Sequence, residues 1–200
     1  MILRSRDPSP FGRKVKIVAK LTGHYDGLTV EEADTADPSD SIRKQNPLGK
    51  IPALILDDGG ILYDSRVICE YFDAHSKSGT RVLADDETRF DQLRLQALGD
   101  GVMDAGIVQV YEIRMRPEDK RHAPWTAYQQ EKIDRTLAAL AADLPSSDAV
   151  HIGTISLACA LAYLDIRFDG TWRNAHPALA TWLEAFASNV PAFGETTPVV

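Results

Sequence analysis

Three short stretches of this 200-residue chain combine residue types that can hold a small peptide-like molecule. One is Asn46-Pro47-Leu48-Gly49-Lys50-Ile51-Pro52, which reads as a tight turn entering a strand that begins with proline. Such a proline cannot donate to a sheet ladder, so it belongs at an edge or a special turn. In the cis form, Pro52 would hold the neighbouring amide and carbonyl outward, available to an extended peptide. The second stretch, Asp64-Ser65, reads as a helix start, where polar groups beside open backbone N–H groups suit the charged end of a peptide. The third, Ser9-Pro10, offers a hydroxyl at an N-cap and a proline at the first helical position.

The elements that must carry these stretches follow from local pattern. Ile2–Arg6 reads as a first strand, although its two arginines weaken the pattern. Phe11, Val15, Val18 and Leu21 fall at helical spacing, and Gly23 ends that helix. Leu28 and Val30 mark a second strand, and residues 34–45 are polar with a short irregular helix. Ala53-Leu54-Ile55-Leu56 and Ile61-Leu62-Tyr63 flank the turn Asp57-Asp58-Gly59-Gly60 as a hairpin. Val67, Ile68, Tyr71 and Phe72 give the next helix its apolar face. A linker over 76–87 leads into a wholly helical half. Its first helix, about Thr88 to Met115, contains Gly99, Gly101 and Gly106, each costing about 1 kcal/mol against alanine. They imply a close backbone neighbour or a bend. Ile155 to Leu164 is apolar nearly all round, as a buried central helix must be. Pro177 starts a further helix, and the tail from Pro191 reads as coil on the surface.

In this order and at these intervals, Ser9-Pro10-Phe11-Gly12-Arg13-Lys14-Val15, Ile51-Pro52 and Asp64-Ser65 resemble the glutathione S-transferase family, in the branch using Ser or Cys rather than Tyr. The resemblance covers essentially the whole chain. It implies an α/β plus all-α architecture, with a thioredoxin-like glutathione-binding domain over 1–76 and an all-helical domain over 87–200. It departs from the family at one helix start: the central helix usually opens with a Ser or Thr cap and an Asp, and here those positions are His151 and Thr154. That pairing predicts a weakened capping box.

The implied chemistry is the activation of the glutathione thiol. A thiol of pKa about 8.5 is only slightly ionised at neutral pH, and lowering that value by about two units takes roughly 2.7 kcal/mol of preferential thiolate stabilisation. A hydroxyl hydrogen bond plus a helix N-terminus can supply it. By resemblance Ser9 is the catalytic residue; by local sequence it is a helix cap. Ile51 would pair its backbone with the cysteinyl unit and Pro52 would set that geometry, unless Pro52 is an ordinary strand-edge proline. Asp64 and Ser65 would hold the γ-glutamyl group, a role compatible with capping. Lys50 is either a partner of the glycyl carboxylate or a solvated lysine, and Phe11 either walls the site or fills core. Met103, Ile107 and Tyr111, at i, i+4 and i+8, either line a pocket for the second substrate between the domains or are inter-helix core.

Composition bounds the alternatives. Hydrophobic residues make up 44% and charged residues 26%, as in an ordinary folded protein. A net charge of −7 argues against a nucleic-acid partner and requires an anionic ligand to be drawn locally, by Lys50, Arg13 or helix N-termini. Cys69 and Cys159 lie far apart without a CxxC motif and read as core residues of a cytoplasmic protein. No secretory signal, membrane-spanning run, P-loop, HExxH, GxSxG or clustered metal set is visible. The expectation is a cytoplasmic, homodimeric glutathione transferase without a metal, joining glutathione to a hydrophobic electrophile in detoxification. The rivals are a non-catalytic ligand-binding or regulatory protein on the same fold, and a glutathione-dependent isomerase, dehalogenase or peroxidase.

Overall fold

The structure is a computed structural model and describes residues 1–199. Its contacts divide into two compact units: Met1–Arg89 with the segment from Pro191, and Phe90–Val190.

The first unit is built on a four-stranded sheet in the order β2-β1-β3-β4, with β1 at Ile2–Ser5, β2 at Thr29–Glu32, β3 at Ala53–Ile55 and β4 at Ile61–Leu62. β2 runs parallel to β1 (Ile2 opposite Thr29), whereas β3 runs antiparallel to it (Arg4 opposite Ala53) and β4 antiparallel to β3 (Leu54 opposite Leu62). Helix α1, Pro10–Leu21, buries Val15, Ile17, Val18 and Ala19. It stops where the Thr22 hydroxyl donates to the Val18 carbonyl at 2.8 Å and Gly23 turns left-handed at φ 73°. Helix α2 is one turn, Ile42–Gln45, and α3, Ser65–Ala74, packs beside α1 with Ile68, Cys69 and Phe72 buried.

Of the two arginines that weaken the β1 pattern, Arg6 lies beyond the strand and is exposed, and Arg4 has a structural reason. Side chains alternate across a strand. Leu3 and Ser5 therefore share one face, where Ser5 meets Gly12 of α1, and Arg4 takes the opposite face. Its guanidinium donates to Ser41 Oγ and Gln45 Oε1, both at 2.6 Å, and to Asp40 Oδ1 and the Glu32 carbonyl, both at 3.1 Å. A buried cation is tolerated when both terminal nitrogens are bonded in this way, even though Nε itself is buried without a hydrogen-bond partner. Arg4 thereby ties the segment before β3 to the centre of the sheet.

The second unit holds α4 (Arg89–Met115), α5 (Ala123–Ala142), α6 (Ile152–Arg167), α7 (Trp172–Ala175) and α8 (Pro177–Asn189). Every residue of α6 from Ile152 to Leu164 is buried, as its all-round apolar sequence requires. Two of the three α4 glycines answer to close packing. A Cβ at Gly99 would lie 2.7–2.9 Å from the backbone of Ser156 and Leu157, and one at Gly106 would lie 3.1 Å from the Tyr163 ring, whereas Gly101 faces open space.

Two expectations are corrected. The α6 capping box is complete rather than weakened: His151 Nδ1 accepts from the Gly153 and Thr154 amides at 3.2 and 3.4 Å, and Thr154 Oγ1 accepts from the His151 amide at 3.1 Å. An unprotonated imidazole nitrogen does what a hydroxyl or carboxylate does elsewhere. The tail is not a surface coil, because Pro191–Glu195 forms a short helix, α9, that packs on α1 with Ala192 and Phe193 buried. Among the described residues, no helix is long and apolar enough to cross a membrane.

Candidate active site

The strand registers bring the three sequence stretches to one end of the sheet. Ser9 follows the end of β1; Ile51-Pro52 directly precede Ala53, which lies opposite Arg4 near that same end; Asp64 follows the end of β4, which returns beside the start of β3. Helices α1 and α3 then leave this end side by side, so both N-termini open towards it.

Ser9 is half-buried, and its Oγ accepts the Gly12 amide at 3.2 Å, while the Ser9 carbonyl accepts from the Arg13 amide at 2.9 Å. It is therefore the N-cap of α1. The cap uses one lone pair of the oxygen and leaves the hydroxyl hydrogen free to donate to an anion. Gly12 matters because a Cβ there would sit 2.1 Å from Ser5 Oγ, so the first turn of α1 lies directly on the end of β1.

The loop before β3 is held by Asn46, which is buried. Its Nδ2 donates to the Lys50 carbonyl at 2.8 Å, its Oδ1 accepts the Leu48 amide at 3.0 Å, and its carbonyl accepts the Gly49 amide at 2.8 Å. Gly49 adopts φ 62°, the left-handed conformation that glycine takes without a Cβ penalty. Asn46 is the positioning residue that motif reading quoted without assigning. Its signal is an Asx side chain two and four residues ahead of the backbone groups it binds. The Ile51–Pro52 peptide is cis, as is Tyr63–Asp64. Neither the amide nor the carbonyl of Ile51 has a hydrogen-bond partner among the described residues. That leaves one donor and one acceptor for an extended ligand backbone.

Asp64 is the N-cap of α3, with Oδ1 accepting the Arg66 amide at 2.9 Å. Its other oxygen and the hydroxyl of the largely buried Ser65 make no hydrogen bond among the described residues. The pair can thus accept from an ammonium and donate to a carboxylate, complementary to an amino-acid terminus. Lys50 is exposed in the same loop. Phe11 is half-buried, with Lys14 Nζ 5.4 Å from its ring centroid.

Arg13, expected among the groups drawing an anion, is instead buried. Its Nη2 donates to the Phe193 carbonyl at 2.7 Å and its guanidinium lies 3.9 Å from the Phe193 ring centroid. On α4, Met103 is fully buried, Ile107 half-buried and Tyr111 exposed, so the proposed stripe grades from core to surface. No group of three or more His, Cys, Asp or Glu side chains among the described residues is placed to hold a metal ion.

Comparison with known proteins places this geometry. The glutathione S-transferase N-terminal domain model matches residues 8–75 and the C-terminal domain model matches residues 96–185. An uncharacterized GST-like protein, YibF of Escherichia coli strain K12, is 32% identical over 195 residues, covering 95% of each chain. A glutathione transferase family member from Pseudomonas fluorescens Pf-5, solved with bound glutathione, is 39% identical with a TM-score of 0.91, covering 100% of this chain and 99% of that one. A second structure from that organism, solved with S-(propanoic acid)-glutathione, is 40% identical with a TM-score of 0.88 and full coverage of both chains. The thioredoxin-like sheet, the helical unit and these whole-length matches lead to one assignment: the chain belongs to the glutathione S-transferase family.

Proposed function

We propose that this protein binds glutathione at the shared end of β1, β3 and β4 and adds its thiolate to an electrophilic small molecule. The observation that carries the reading is the unpartnered Ile51 amide and carbonyl beside the Asp64-Ser65 helix start, a set of groups that matches a γ-glutamyl tripeptide. The Pseudomonas fluorescens Pf-5 relative holds glutathione in one structure and S-(propanoic acid)-glutathione in the other. Ile51 pairs with the cysteinyl unit, with Pro52 setting the turn. Asp64 accepts from the γ-glutamyl ammonium and Ser65 donates to its carboxylate. Lys50 neutralises the glycyl carboxylate, and Phe11 walls the site. Ser9 donates its free hydrogen to the sulfur, and the positive end of α1 favours the thiolate further. The electrophile meets Ile107 and Tyr111, with Met103 behind them. We propose further a homodimer acting in the cytoplasm in detoxification, with no metal required.

The second reading is a binding protein. If Ser9 serves only as the cap that Gly12 uses, glutathione is bound and unactivated. Calorimetric titration with reduced glutathione, followed by initial rates with a panel of electrophiles, separates the readings. Millimolar or tighter binding with conjugation supports the transferase, binding without conjugation supports the carrier, and no binding overturns both.

A further inference from the structure

The helical unit carries two cations that its own acids do not neutralise. The stripe Ile107, Tyr111, Arg114 runs along one face of α4 at i, i+4 and i+7. Across from it on α6 stand Tyr163 and, one turn later, Arg167, whose guanidinium carbon lies 6.0 Å from the Tyr163 ring centroid. Gly106 lets the two helices meet there, because its bare Cα packs against the Tyr163 and Phe168 rings. The acids nearby are engaged elsewhere: Glu112 holds Arg116 and the His122 amide, and Asp165 holds Arg173 and the Trp172 indole N–H. Arg114 and Arg167 pair with no carboxylate among the described residues, and Arg167 Nε is buried without a hydrogen-bond partner. Both arginines lie in last helical turns, where the dipole welcomes a cation. That accounts for a cation at each position. It does not account for their convergence on two tyrosines.

We propose that Arg114 and Arg167, with the hydroxyls of Tyr111 and Tyr163, hold the carboxylate of the electrophilic acceptor, which is a small α,β-unsaturated acid. This rests on the transferase reading above and names its substrate class. Guanidinium groups bind carboxylates with directed, charge-assisted hydrogen bonds, and in a chain of net charge −7 such a site is the means of retaining an anion. Burial raises the pKa of Tyr163, keeping its hydroxyl a donor, and Tyr111, Arg114 and Arg167 all lie close enough to act on it electrostatically. Neutralising the carboxylate also favours the reaction, since a thiolate otherwise approaches a molecule of its own charge. The sulfur forms a bond to the β-carbon, the alkene π pair moves to the α-carbon, and that carbon takes a proton from water. Nothing leaves and nothing is oxidised.

The test compares acrylate with methyl acrylate as acceptors at fixed glutathione. In Arg167→Gln the ratio of kcat/KM for the acid to that for the ester should fall by about tenfold, the loss of one charge-assisted pair. An equal change for both acceptors overturns the proposal. Arg114→Gln reads the same ratio should Arg167→Gln fold poorly. Titration with the unreactive 3-phenylpropanoate separates this site from the transferase reading. Salt-sensitive binding that Arg167→Gln weakens supports the anion site even in a chain that conjugates nothing. Absent binding overturns it while glutathione binding, measured alone, still stands.

Discussion

The starts of α1 and α6 solve one problem in two ways. Each must satisfy amides that a helix leaves open, and each places a glycine in its first turn. At α1, Ser9 Oγ accepts a single amide at 3.2 Å and returns nothing, so its hydrogen and the Phe11 amide remain available. At α6, His151 accepts two amides and Thr154 answers with one, closing the box. Only the start left incomplete has groups to offer a ligand. The closed one serves stability alone, and it does so with a titratable ring.

The comparison can be broken hardest at the glycines. In Gly153→Ala the new Cβ meets the Gln92 carbonyl oxygen at 2.7 Å and Leu95 Cβ at 2.8 Å, so the loss should be about 3 kcal/mol in chemical denaturation. The first obstacle is backbone, so no side-chain change should rescue it. Ser9→Ala should lower kcat/KM for conjugation by about 100-fold, or about 2.7 kcal/mol, in steady-state rates. Its folding loss should be only about 1 kcal/mol, as for a cap. Equal losses in rate and stability would make the two helix starts alike after all. Gly12→Ala should cost about 2 kcal/mol, because Ser5 Oγ lies 2.1 Å from the new Cβ. Here the obstacle is one hydroxyl, itself buried without a partner, so Ser5→Ala should recover most of the loss in a double-mutant cycle.

The smallest effect sharpens the contrast by pH. Burial holds His151 below the ordinary histidine pKa of 6.5, and protonating Nδ1 removes the acceptor. The unfolded chain therefore binds more protons than the folded one as the solution turns acidic. The His151 contribution is full above that ordinary value and is lost as pH falls through the lower folded value. His151→Ser should flatten the stability profile in denaturation between about pH 7.5 and 5, by about 1 kcal/mol at the acid end. His24 is depressed in the same sense, by burial first and then by Lys77 and His75, so the slope that remains in the variant reports it.

What could be read from sequence was local. Ser9 capping α1, Pro10 as its first residue and Asp64 capping α3 each depend on neighbours a few positions away. So did the α6 core, written in an unbroken apolar run. The roles that escaped depend on partners far along the chain or on a protonation state. Arg4 looked like a flaw in a strand because Asp40, Ser41 and Gln45, its reasons for being there, lie on another element. Arg13 looked like a surface attractor because Phe193 is 180 residues distant. His151 looked like a poor cap because residue type does not specify which imidazole nitrogen carries the proton.

The bond from Arg13 to Phe193 also bears on the order of synthesis. The helix that begins with Ser9 is among the first parts of the chain to be made, and α9 follows only after the whole helical unit has been translated. The Arg13 guanidinium therefore lacks this carbonyl and aromatic partner while the next hundred and more residues are being added. The early unit emerges first and is completed late, its first helix held by residues from the opposite end of the message.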